Sequence, residues 1–181
     1  MSPSEASRVL RQVGGFLIAL VILAGCGRAP KQTPQQRAAA ARTLFDETAK
    51  LYHLPSAEAE GAARGKLLER AAAGYERLLK EFSDQPAWAA PTMRSLANIR
   101  AVQGKINRAV QLYDALEEKF PGQDWEILQA WKSAGDLLWE NGRRAEAKNF
   151  YSKLVQRFDR PANPGVVQLI VRSSKTHLAG T

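Results

Sequence analysis

The chain holds one cysteine and two histidines in 181 residues, and their surroundings decide what chemistry is open to them. Cys26 follows Ala24 and Gly25 at the end of an apolar run. A thiolate is a strong nucleophile, but a lone cysteine builds neither a disulfide framework nor a cysteine-ligated metal site. His53 and His177 have no partners at metal-ligand spacing, so no metal is expected. Glu117 and Glu118 are adjacent and point to different faces of a helix. Ser133 and Ser173 lack the strand-to-helix elbow of a catalytic serine, and Gly61 and Gly65 carry no phosphate-loop pattern. No catalytic residue and no cofactor is expected, and the reading is a non-enzyme.

Cys26 acquires a role from what precedes it. Met1 to Gln12 carries Arg8 and Arg11 against Glu5, and Val13 to Leu23 (VGGFLIALVIL) is uncharged and almost wholly apolar. A basic start, an apolar stretch of ~7–15 residues and small residues at the end predict a secretory signal peptide over residues 1–25. The run is shorter than the roughly 20 residues that cross a bilayer. Leu23-Ala24-Gly25-Cys26 resembles the lipobox of bacterial lipoproteins. The resemblance implies cleavage between Gly25 and Cys26, a diacylglycerol on the Cys26 sulfur and, usually, acylation of the new amino terminus. Two or three acyl chains at ~0.8 kcal/mol per buried CH₂ make a stable anchor. Gly27, where Asp would favour the inner membrane, implies an outer-membrane address on the periplasmic side in a Gram-negative cell. Residues 26–33 then form a lipidated, flexible tether of at most ~3.5 Å per residue.

The 26 Lys+Arg against 18 Asp+Glu give a net charge of +8; without residues 1–25 the balance is 24 against 17. Acids are interspersed throughout, with no run of five or six like charges. Outside the cytoplasm such a surface suits anionic headgroups, cell-wall polymer or acidic proteins, and nucleic acid is not expected.

The positioning elements show themselves as a repeat. Ala71, Ala109 and Ala147 align, as do Tyr75, Tyr113 and Tyr151; Leu78, Leu116 and Leu154; and Phe82, Phe120 and Phe158, each set spaced by 38 residues. Within a segment the four anchors fall at i, i+4, i+7 and i+11, one face of a helix. Upstream, Gly104 pairs with Gly142, Ala97 with Gly135, Ser95 with Ser133 and Met93 with Trp131. The glycines suit a left-handed turn between two helices. Each unit is therefore helix, turn, helix.

This pattern resembles the tetratricopeptide repeat (TPR), although the usual period is 34 residues. Aromatic, Pro or Ser, a turn residue and a new helix ("FSDQPAW", "FPGQDWE") resemble the joints of TPR lipoproteins of the bacterial envelope. Those include the BamD-like component of barrel assembly and the TolA-binding division coordinator. The expected fold is all-α over residues 34–181, a right-handed α-solenoid of about three TPR-like pairs plus a C-terminal cap. The repeats span 34–82, 84–120 and 122–158, and the cap 163–178. In the first, Ala40, Leu44, Thr48 and Leu51 share a helix face. Trp88 and Trp125 are expected to wedge the joints.

The TPR resemblance implies a concave groove lined by the first helix of each pair. It places Arg94 and Asn98 in the second repeat there, with Lys132, Asp136 and Trp139 in the third. Trp139 reads either as a binding anchor or as a core residue against the cap. The implied partners are envelope proteins of assembly, secretion or division machinery, bound without turnover. The alternative is a lipoprotein whose basic surface binds cell-wall or another anionic polymer.

Overall fold

The computed structural model describes residues 32–180, so Gly25, Cys26 and the predicted signal lie outside the described residues. Thr33 begins the described fold by capping α1 (Pro34–Thr48). Its hydroxyl accepts from the Gln36 N–H at 3.2 Å, and the Gln36 amide oxygen accepts from the Thr33 N–H at 2.9 Å. Two otherwise orphaned donors are thereby satisfied, and Pro34 costs nothing at the first position because its missing N–H would be unpaired there anyway. A π-helical segment, Ala49–His53, extends α1, and a single turn α2 (Pro55–Glu58) follows. The remaining helices are α3 (Gly61–Glu81), α4 (Pro86–Val102), α5 (Ile106–Lys119), α6 (Asp124–Glu140), α7 (Arg144–Phe158) and α8 (Gly165–Ala179). Among the described residues there is no strand, and no helix is long and apolar enough to cross a membrane.

Two joints within pairs are built identically. Gly104 and Gly142 have φ of +72° and +75°, the left-handed region that side-chain-bearing residues rarely adopt. The next residue's N–H reaches back to a carbonyl five positions earlier, Lys105 to Arg100 and Arg143 to Leu138, each at 2.9 Å. That bond closes the preceding helix and starts the next one antiparallel to it. The longer joints are clasped by arginines. Arg37 bonds both Asp84 carboxylate oxygens (2.6 and 2.9 Å) and the Glu81 carbonyl (2.7 Å). Arg157 holds Glu117, Asp124 and the Pro121 carbonyl at 2.7–2.9 Å.

From α3 onward each helix packs on the one before and the one after, and α1 packs on α3 and α4. The repeat anchors form the core: Ala71, Tyr75, Leu78 and Phe82, then their equivalents through Phe158, are all buried. Apolar positions four, three and four apart make one stripe per helix, and each stripe closes on its neighbour's.

The first helix departs from expectation. Ala40, Leu44 and Thr48 lie against the core as expected, joined by Ala41, Phe45 and Tyr52, but Leu51 is 55% exposed. Leu51 lies in the π segment, whose wider winding turns Tyr52 inward and His53 toward Tyr75.

Candidate binding face on α4 and α6

Four of the proposed groove residues stand on paired positions of two first helices, and the core tyrosines hold two of them. Tyr113 donates its hydroxyl to the Asn98 side-chain oxygen at 2.6 Å. Tyr151 donates to Asp136 at 2.8 Å. The donor–acceptor separation is 15 residues in both pairs, so the repeat carries its polar buttress with it. Lys132 then bonds both Asp136 oxygens at 2.6 Å. Arg94 reaches across from α4 to Glu126 on α6 at 2.5 Å, and both side chains are largely covered.

These groups are held rather than reactive. Burial pushes the Tyr113 hydroxyl up to about 12, opposed by the Ser133 hydroxyl and the Arg94 charge. Burial raises Tyr151 still more, and the Asp136 carboxylate adds to the rise because it accepts from the neutral phenol. Both phenols stay protonated and act as fixed donors. Among the described residues no cluster of His, Cys, Asp and Glu could hold a metal.

Trp139 sits apart from this row. Its ring meets His177 of α8 edge-on at 5.0 Å and Tyr151 at 6.3 Å, with Arg144 stacked 5.0 Å above. It is half-buried in the α6–α7–α8 junction. Trp88 wedges its joint as expected, 5.9 Å from Phe45. Trp125 does not: it is 46% exposed. Counting along α6, Trp125, Gln129, Lys132 and Asp136 fall at i, i+4, i+7 and i+11 and share one face. The exposed aromatic of this face is therefore Trp125. Its position one residue ahead of the Trp88 equivalent, Glu126, was the available signal.

The first core tyrosine, Tyr75, has a histidine as its partner. His53 Nδ1 lies 3.0 Å from the Tyr75 hydroxyl, and the rings meet at 5.6 Å. Burial alone lowers the His53 pKa below its ordinary 6.5. The unfolded chain therefore binds the proton more tightly than the native one. His53 stabilises the fold fully above pH 6.5, and that stability falls as the pH drops through 6.5 toward the lower native value. Thermal unfolding between pH 7.5 and 5.5 should show it, and His53→Gln should remove most of the difference. Equal pH dependence in both proteins would refute the assignment.

No protein-family model matches the chain, and no curated protein matches it either.

Proposed function

We propose that this protein is a lipoprotein anchored through Cys26 on the periplasmic side of the outer membrane. In this reading α1 to α7 are three TPR-like pairs of a right-handed α-solenoid, with α8 as cap. The face shared by α4 and α6 binds segments of other envelope proteins, without turnover. The observation that carries the reading is the α6 row. An exposed tryptophan shares this row with Lys132 and Asp136, which bond each other and are anchored by the buried Tyr151. A pre-ordered face loses little side-chain entropy on binding, and a partly exposed tryptophan supplies the apolar anchor.

Cross-linking in cells with a photoreactive residue at Gln129 tests it. A defined set of envelope proteins should be captured above a control lipoprotein. Trp125→Ala should reduce capture by about tenfold or more, as loss of an anchor worth ~2 kcal/mol requires. Capture at control level would sink the groove reading and favour cell-wall polymer, whose binding moderate salt would abolish. For the anchor, Cys26→Ser should accumulate an uncleaved precursor in the inner membrane. Mature-sized protein in the outer membrane would disprove lipidation at Cys26.

A further inference from the structure

A helix that ends a stack is expected to turn a polar side outward; α8 exposes Gln168, Arg172, Lys175 and Thr176, but sets two large apolar residues among them. α4 and α6 are each covered by a helix on either side, whereas α8 packs mainly on α7, with Trp139 of α6 against its His177. Val171 and Ser174 are buried, with Val167 and Ile170 partly so, on its inner side. On the other side Val166 and Leu169 are 51% and 61% exposed, and Arg172 follows one turn later.

The charge around this strip is one-sided. From Arg160 to Gly180 there is no Asp or Glu. Lys175 is matched by Asp159 at 2.5 Å, but Arg160 and Arg172 make no side-chain ion pair among the described residues. Arg160 and Arg172 both border a cavity of about 340 Å³ floored by Phe158 and Val171.

We infer that the outer side of α8 docks an acidic amphipathic helix from another protein. Its apolar stripe would cover Val166 and Leu169, and its carboxylates would meet Arg172 and Arg160. A helix is the occupant because α4 and α6 are each closed by a following helix laid alongside. A second copy is disfavoured: α8 on α8 would oppose two basic faces whose one nearby acid, Asp159, is already paired with Lys175. This surface is separate from the α4–α6 face.

The probe is a fluorescein-labelled peptide of residues 106–120, INRAVQLYDALEEKF, titrated with the full chain in mild detergent and followed by anisotropy. The peptide carries one apolar stripe and three carboxylates. Saturable binding is expected, weakened about tenfold or more by Leu169→Glu and by the Arg160→Glu, Arg172→Glu double variant. A peptide with Asp114, Glu117 and Glu118 changed to Lys should bind that double variant better than wild type. These exposed substitutions leave the melting temperature in place, which separates lost docking from lost folding. Absent binding, or equal affinity for all variants, overturns the inference. Concentration-dependent dimerisation in sedimentation, abolished by Leu169→Glu, overturns it in favour of a second copy.

Discussion

Tyr113→Ala should lower the unfolding free energy by about 3–5 kcal/mol, the range for emptying a large aromatic site in a packed core. Tyr113 is buried between α4 and α6, and its hydroxyl is spent on Asn98. Alanine would remove the ring, leave a void bordered by neighbours that belong to other helices, and strand the Asn98 oxygen. Tyr113→Phe separates the contributions, since it keeps the ring and should cost only about 1 kcal/mol for the lost hydrogen bond. Urea unfolding of both variants is the check. A transition unmoved by Tyr113→Ala would mean that the repeat register does not describe the core.

The second large effect concerns an atom that is missing. Gly135→Ala should destabilise the protein by ~1–3 kcal/mol, the usual cost of overpacking a filled core. A Cβ there would sit 2.5 Å from Tyr151 Cε1 and 2.9 Å from Cδ1 and Cζ. The ring cannot easily retreat: Asp136 holds its hydroxyl at 2.8 Å and His177 lies 4.7 Å away. Replacing a mid-helix glycine by alanine ordinarily gains about 1 kcal/mol, so the clash must overcome a favourable term. Gly65→Ala in α3 isolates that term, because its Cβ would meet nothing within 4 Å. It should stabilise by ~0.5–1 kcal/mol. Opposite signs for one chemical change would fix the closeness of α6 and α7 as the cause, and equal signs would refute it. Ala97 is the same position of α4, and it is fully buried there.

Which parts of this were legible depends on how far a residue's fate is set by spacing alone. The anchors from Ala71 to Phe158 could be read because burial recurs at 38 residues, and a recurring stripe leaves its helix only one inward side. Gly104 and Gly142 could be read because a left-handed turn tolerates few alternatives. Leu51 could not: a π turn leaves no composition mark, and within it Tyr52 packs inward while Leu51 faces out. Trp125 failed for a similar reason. It resembles Trp88 in type and neighbourhood, yet it stands one residue earlier in its helix, about 100° round the axis, and faces water instead of the joint. Trp139 had two readings, and its neighbours, Tyr151 and His177, arrive from helices whose approach no local spacing encodes. Of the face itself, the pairing of positions 94 with 132 and 98 with 136 follows from the period. The Tyr113 and Tyr151 buttresses required the folded distances.

The helices pack in succession, and α1 shares no packing interface with α8. A tension applied between the two ends is therefore carried mainly by the interfaces in series, braced only over short range, as by α1 on α4 and α4 on α6. Such a body behaves as a chain of springs: its compliance is the sum over junctions, and it yields at the softest one while the rest stay intact. Stretching it should release length in discrete helix-sized steps instead of one collapse, and each step should refold on its neighbour once the load is removed.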